Sequence, residues 1–305
     1  MRYGMPYKGS KSSIAEWIID ILPNAEYFVD LFSGGCAVTH CALMNYKYKR
    51  FIMNDIDSRF PELFIDSIHG KYTTQNQTEW ISRQTFKDRF RQDGYVALCW
   101  SFSNNAKEYM YSEALEPYKK AYHQLIFFND PQGISEYGFN ISLVKTNDVT
   151  ERYANYRKQI KNQQDIIFLQ AHQDELENCE RLQSLERLES LERLESFSLD
   201  YKDISIPSDS VIYCDPPYYD TNCGHYDGFD HDEFYQWAAE QENIFISEYA
   251  MPEPFIEVAS IKKSILSSAK GALPFRMEKI FTNPKTYEKY KNHFAKFKLT
   301  PRRLF

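Results

Sequence analysis

The six cysteines, Cys36, Cys41, Cys99, Cys179, Cys214 and Cys223, form no C-x-x-C pair and no metal-ligand spacing. A disulfide framework and a zinc centre are therefore not expected. The chain has no run of about 18 apolar residues, and it does not open on a cationic segment followed by an apolar one. Neither a membrane span nor a secretory leader is expected, and the reading is a reduced, soluble protein of the cytoplasm. A positive net charge is also missing. Lys and Arg number 36 against 43 Asp and Glu, a formal −7, which at face value argues against a nucleic-acid partner. The remaining composition is that of a folded protein. With 305 residues, 43% hydrophobic and 16% aromatic, the chain has enough apolar surface for a large core plus an insert and too much for a disordered tail.

The charge is unevenly distributed. Residues 261–305 hold twelve Lys or Arg and two acids, Glu278 and Glu288, a local +10 that leaves −17 on the remainder. A basic segment on an acidic body suits contact with something anionic, and a solvated charged face is the competing explanation.

Several short apolar, β-prone runs end in a polar tip. Tyr27-Phe28-Val29 leads into Asp30, Phe51-Ile52-Met53 into Asn54-Asp55, and Val211-Ile212-Tyr213 into Cys214-Asp215. A helical stretch from 36 to 48 separates the first two, and Ile244–Ser247 follows a helix at 231–241 whose start is rich in acids. Strands alternating with helices predict an α/β fold with a parallel sheet and a ligand at the carboxyl ends of its strands. Residues 61–165 are too many for a crossover connection and read mostly helical. They form an inserted domain, with 1–60 and 166–305 making one discontinuous α/β domain. From Leu182 to Phe197 an apolar residue recurs every third position in a Leu/Glu/Ser tract. That period is wrong for a coiled-coil seam, and helix, 3₁₀ turns and strand all remain open for it.

Three features carry chemistry. Ser33-Gly34-Gly35 between a strand and a helix lets a ligand approach the backbone, although the spacing is not G-x-G-x-x-G. Asp55 ends the second strand 25 positions after Asp30, where an acid suits the two hydroxyls of a ribose. Together they favour a nucleoside. Asp215-Pro216-Pro217-Tyr218 at the tip of a buried strand offers a carboxylate, carbonyls without competing N–H donors, and an aromatic face. Those groups suit a planar exocyclic amine. Cys214 beside them sits at the inner end of an apolar strand and reads as a small buried hydrophobe, not a nucleophile.

In this order the motifs resemble the Dam-like, D12-class (α-group) adenine-specific DNA methyltransferases. Tyr7-Lys8-Gly9-Ser10-Lys11 is similar to the family's N-terminal motif, with Tyr7 in place of the frequent Trp and Ser10 in place of Gly. Residues 28–35, FVDLFSGG, resemble its F-V-E-P-F-x-G-x-G loop, with Asp30 for Glu and the two glycines adjacent. Asn54–Asp57, Asp200-Tyr201 and the D-P-P-Y motif complete the set. The resemblance implies a Rossmann-like S-adenosylmethionine-dependent fold with 61–165 as a target-recognition insert. It implies a cofactor pocket of Tyr7, Lys11, Asp30, Gly34, Gly35, Asp55, Asp200 and Asp215, with Lys11 opposite the cofactor carboxylate. Asp215, Pro216, Pro217 and Tyr218 would be the catalytic turn around an adenine flipped out of duplex DNA. The implied partners are double-stranded DNA and a cognate restriction nuclease, with no membrane and no metal.

Ser101, Ser103, Asn104, Asn105 and Lys107 concentrate amide, hydroxyl and basic groups suited to base edges or phosphates, and a polar interhelical loop is the alternative. Thr221–Tyr226, including His225, reads as a flap over the flipped base. Alternative acceptors for a D-P-P-Y turn are RNA and a protein amide, and a non-catalytic DNA-binding relative is a third reading. A net charge of −7 does not exclude DNA, because phosphate contacts depend on local charge. The expectation is that binding rests on the insert and the basic C-terminal 45 residues.

Overall fold

The structure, a computed structural model, describes residues 2–163, 175–188, 191–219, 228–264 and 275–297. Contacts divide the chain into two compact units. Met1–Gly4, Lys11–Pro61 and Glu189–Phe305 make the first, and Met5–Ser10 with Glu62–Leu188 make the second. The second unit thus runs past residue 165, where the sequence reading drew its boundary, because Leu176 is built into that unit's aromatic core.

The first unit is an α/β domain on one seven-stranded sheet. Its strands are β1 (Tyr27–Asp30), β2 (Arg50–Asn54), β3 (Leu194–Phe197), β4 (Ser210–Cys214), β5 (Ile244–Glu248), β6 (Ile256–Ser264) and β7 (Phe275–Thr282). The spatial order is β3-β2-β1-β4-β5-β7-β6. The first five strands of that order run parallel. β7 is antiparallel to β5, and β6 is antiparallel to β7. Phe28, Val29, Ile212, Ile244 and Ile246 are buried, as strands covered on both faces require. The chain winds outward from β1 through β2 to β3, then returns to lay β4 on the other side of β1. That reversal makes the β1/β4 edge the topological switch point, where α/β sheets open a crevice beyond the strand ends.

Two elements were hidden in the sequence. The Leu/Glu tract is not one structure: it ends the helix Glu175–Gln183, passes through 3₁₀ turns at Ser184–Arg187 and Leu191–Arg193, and finishes as β3. A 3₁₀ turn has three residues per turn, so a period of three keeps one face apolar, and Leu182 and Leu185 are fully buried. The basic C-terminal region supplies β7 and the helix Pro284–Phe294, started by Asn283, whose Oδ1 accepts the Thr286 N–H.

The second unit is helical. Helices Glu116–Phe128, Val149–Lys161 and Glu175–Gln183 contribute Tyr122, Leu125, Tyr156, Ile160 and Leu176 to its core. Ser82, Asp93 and Asp148 cap helices with side chains that accept from the first-turn N–H groups.

Candidate active site

The glycine loop after β1 is shaped by backbone bonds from its neighbours. Ser33 N–H donates to the Asn54 carbonyl at 2.9 Å and Cys36 N–H to the Ser33 carbonyl. Gly34 and Cys36 both adopt positive φ, and the helix Ala37–Leu43 starts from this turn. Gly4 packs directly on it. A Cβ at Gly4 would come within 2.3 Å of the Gly35 carbonyl and 2.6 Å of the Ala37 Cα, and the Gly4 φ is +67°. Its N–H donates to His40 Nδ1 at 2.9 Å. Asn54 binds the ends of three strands together: its amide donates to the Leu31 and Leu199 carbonyls and its oxygen accepts the Leu199 N–H. Gly4, His40 and Asn54 were not picked out as supports of the loop from sequence.

Two carboxylates flank this loop. Asp55 accepts the Gly34 N–H at 2.8 Å on one oxygen and the Asp57 N–H at 3.0 Å on the other. Asp30 is 1% exposed. Its Oδ2 accepts from Thr39 Oγ1 at 2.7 Å, and its Oδ1 has no hydrogen-bond partner. Burial, with the charges of Asp215 and Asp55 adding, pushes the Asp30 carboxyl up to about 7. A carboxylate so placed suits a cationic partner.

The D-P-P-Y turn follows β4, one strand over. Lys11 Nζ lies 2.8 Å from both oxygens of Asp215 and 3.5 Å from Glu278 Oε1. Burial opposes the charge on Lys11, but Asp215 and Glu278 outweigh it and hold the ammonium above the ordinary lysine value. The Tyr218 hydroxyl donates to Glu278 Oε1, and the Lys11 ammonium stands 4.7 Å from the Tyr218 ring centroid. Tyr249 meets Tyr218 edge to face at 4.6 Å. Burial, then Asp215 and Glu278, push the Tyr218 phenol well up, so it remains a donor. Pro217 offers its carbonyl to His231 Nε2 at 2.7 Å. Glu248, at the end of β5, accepts its neighbour's N–H on Oε1 and leaves Oε2 without a partner. Burial pushes it up to about 7. Cys214 is fully buried and its thiol is pushed well up by that burial, as the small-hydrophobe reading requires.

Asp200 is half-buried and caps the turn after β3, accepting the Lys202 N–H at 3.0 Å. Next to it the Tyr201 ring packs on Phe32, Phe229 and Phe234. Tyr7 is half-buried and packs with the second unit, its carbonyl accepting the Ser10 N–H. Lys11, expected opposite a cofactor carboxylate, pairs with Asp215 and Glu278. In the loop at 101–109, three residues spend their side chains internally. Ser101 Oγ takes the Ala106 N–H, Asn104 donates to the Leu98 carbonyl and Asn178, and Asn105 caps the N–H groups of Lys107 and Glu108. Ser103 and Lys107 are exposed beside Phe102, which is 57% exposed. The flap reading of Thr221–Tyr226, with His225, lies outside the described residues.

Four buried side-chain atoms of the described first unit lack any hydrogen-bond partner: Asp30 Oδ1, Ser33 Oγ, the Tyr201 hydroxyl and Glu248 Oε2. All four sit just at or beyond the carboxyl ends of β1, β3 or β5. Orphaned buried polar atoms are rare in folded proteins and call for a cause, and here they line one edge of a parallel sheet. The strand order, the reversal at β1/β4 and the carboxylates at the strand ends are those of the Rossmann-like S-adenosylmethionine-dependent methyltransferase fold.

The comparison with protein families is specific. The D12 class N6 adenine-specific DNA methyltransferase family matches residues 7–250, and this chain belongs to that family. Among individual proteins, Modification methylase StsI of Streptococcus sanguinis is 26% identical over 137 residues, 42% of this chain. The chain spans about a fifth of that relative's length, since the match covers 20% of it. Methyltransferases normally draw their methyl group from S-adenosylmethionine. The orphaned Asp30 oxygen, the Gly34–Gly35 loop and the Asp55 carboxylate fit such a cationic nucleoside. No group of three or more His, Cys, Asp or Glu among the described residues is arranged to hold a metal ion. No described helix is long and apolar enough to cross a membrane.

Proposed function

We propose that this chain methylates N6 of adenine in duplex DNA at a specific site, with S-adenosylmethionine as donor. The observation that carries this reading is the Lys11–Asp215–Tyr218 cluster at the β4 tip, next to the orphaned Asp30 carboxylate across the switch point.

When bound, the cofactor supplies an electrophilic methyl group on a sulfonium. The protein groups do the rest. Asp30 would face the cationic end of the cofactor, Asp55 its ribose, and Asp200 its adenine amine. Asp215 accepts one hydrogen of the target amine. The Pro216 carbonyl accepts the other, because Pro217's is already taken by His231. These bonds would concentrate electron density on N6, so that its lone pair can take the methyl group the cofactor would supply, the sulfur keeping the C–S electrons. The surplus N6 proton then leaves to water. Lys11, 2.8 Å from both Asp215 oxygens, holds that carboxyl group in place, so that the acceptor is oriented before the base arrives. Catalysis is then chiefly positioning, with stacking on Tyr218 offsetting part of the cost of flipping.

For duplex contact we assign Ser103 and Lys107, two exposed polar groups of their loop. A restriction nuclease of the same site specificity is the partner that such methylation would protect against, and the bacterial or phage-infected cytoplasm is where the two would meet. Labelled S-adenosylmethionine incubated with methylation-free duplex DNA, RNA and protein tests the reading. Label recovered as N6-methyladenine in DNA is expected, and label only in RNA or protein would refute it. Asp215→Ala should lose transfer far more than cofactor binding, and a variant that stays active would refute the catalytic assignment.

A further inference from the structure

The Lys11–Asp215 pair does not stand alone. Glu278 is 3% exposed and lies on β7, a strand that enters the sheet against the direction of its five parallel members. That reversal brings an early β7 residue to the edge where β1, β4 and β5 end. There Glu278 Oε1 receives the Tyr218 hydroxyl and lies 3.5 Å from Lys11 Nζ. One buried oxygen therefore fixes both the aromatic ring and the cation of the D-P-P-Y site. Without it, the Tyr218 hydroxyl would be a buried donor lacking this acceptor, and the Lys11 charge would be balanced by Asp215 with no second carboxylate. Tyr218 turns about its Cα–Cβ and Cβ–Cγ bonds, and Tyr249 constrains the ring by an edge contact. The hydroxyl lies on the Cβ–Cγ axis, so its bond to Glu278 fixes where the ring reaches, while the Tyr249 contact limits rotation about that axis.

We infer that Glu278 is a positioning residue for methyl transfer, holding Tyr218 and Lys11 in the geometry that receives the target adenine. This rests on the reading that Asp215 and Tyr218 hold that base. Glu278 touches neither base nor cofactor in this account, so its removal should slow transfer without weakening cofactor binding.

The test compares Glu278→Ala, Glu278→Gln, Tyr218→Phe and the combination of Glu278→Ala with Tyr218→Phe in the full chain. Methyl transfer to methylation-free genomic DNA is measured at saturating DNA and cofactor, and cofactor Kd by calorimetry. For Glu278→Ala, kcat should fall about 10- to 100-fold, the range for losing a charge-assisted hydrogen bond in a buried site. The Kd should stay unchanged, and the glutamine, whose carbonyl still accepts from the Tyr218 hydroxyl, should recover part of the rate. The double variant should lose less than the product of its two single losses, because both act on one contact. Wild-type kcat in Glu278→Ala, or single losses that multiply in full, would overturn the inference. If the alanine variant does not fold, Glu278→Gln takes its place in the same cycle with Tyr218→Phe. A wild-type chain that puts no methyl group on DNA refutes the proposed function itself. An active wild type with an unaffected Glu278→Ala refutes only the role of Glu278.

Discussion

Replacing Asp30 by Asn should make the ligand-free protein more stable and a poorer binder of S-adenosylmethionine, the proposed cofactor. Asp30 is buried, and one of its two oxygens has no partner. Its carboxyl is pushed from the ordinary 3.8 up to about 7. The folded state thus keeps this proton up to about pH 7, whereas the unfolded chain releases it near 3.8. Between those values the folded state binds more protons, so stability falls as pH rises, and the deficit is complete above pH 7. A gap of about 3 pH units is on the order of 4 kcal/mol. An asparagine removes the charge and keeps an acceptor for Thr39, but it buries an amide donor at a cost of about 1–3 kcal/mol. The net expectation is a gain of roughly 1–3 kcal/mol at pH 8 that fades as pH falls from 7 towards 4. Urea unfolding of the ligand-free wild type and Asp30→Asn at pH 5 and pH 8 measures it, and calorimetric titration with S-adenosylmethionine should show weaker binding. A variant less stable than wild type at both pH values, or a gain that ignores pH, would show that no uncompensated charge is held at the end of β1.

Other perturbations reach different parts of the site. Gly4→Ala drives a Cβ into the Gly35 carbonyl and the Ala37 backbone, which cannot yield as a side chain tip would. A loss of at least about 2 kcal/mol is expected, with cofactor affinity falling alongside, read by thermal melting and titration. Cys214→Ala should cost about 1–2 kcal/mol of stability and leave methyl transfer within a few-fold of wild type. Complete loss of transfer in a folded Cys214→Ala would point back to covalent chemistry. Lys107→Ala should weaken DNA binding similarly across sequences and reduce the slope of log affinity against log salt by about 1. An unchanged slope would remove Lys107 from the phosphate contacts.

The carboxylates at the ends of β1, β2 and β4 were legible in the sequence because their signal is local. A short β-prone run that stops on an acid can be seen within six residues, and the glycine loop lies next to one of them. Sequence could not supply the partners. Lys11 meets Asp215 across 204 positions, and Tyr218 meets Glu278 across 60. Such contacts exist only once strand order is fixed, and the order turns on β7, whose charged residues disguise it. In β7, Glu278 and Ile280 face inward while Met277 is exposed, so the pattern reads as a solvated surface and not as a buried strand. The tract that holds β3 was similarly opaque, since its three-residue period belongs to 3₁₀ turns and only its last four residues pair with β2.

The same strand changes how the basic C-terminal region should be read. Counted along the sequence, residues 261–305 offer +10 to a phosphate backbone. In the fold, Lys279 pairs with Glu257, Lys285 with Glu240 and Lys291 with Glu288. Lys289 donates to Asn243, and Glu278 is turned inward towards Lys11. Lys270, Lys298, Arg302 and Arg303 lie outside the described residues. Exposed ion pairs are weak and exchange readily for phosphate, so these lysines can still contribute to DNA affinity. Each must first give up its partner, however, and the gain per contact is smaller than for a lysine facing water alone. Of the two acids in this region, one balances a surface lysine and the other serves the D-P-P-Y site. The segment that looked like a cationic tail is therefore also structural, closing the sheet and carrying, after Asp215, the second counter-charge of the buried lysine.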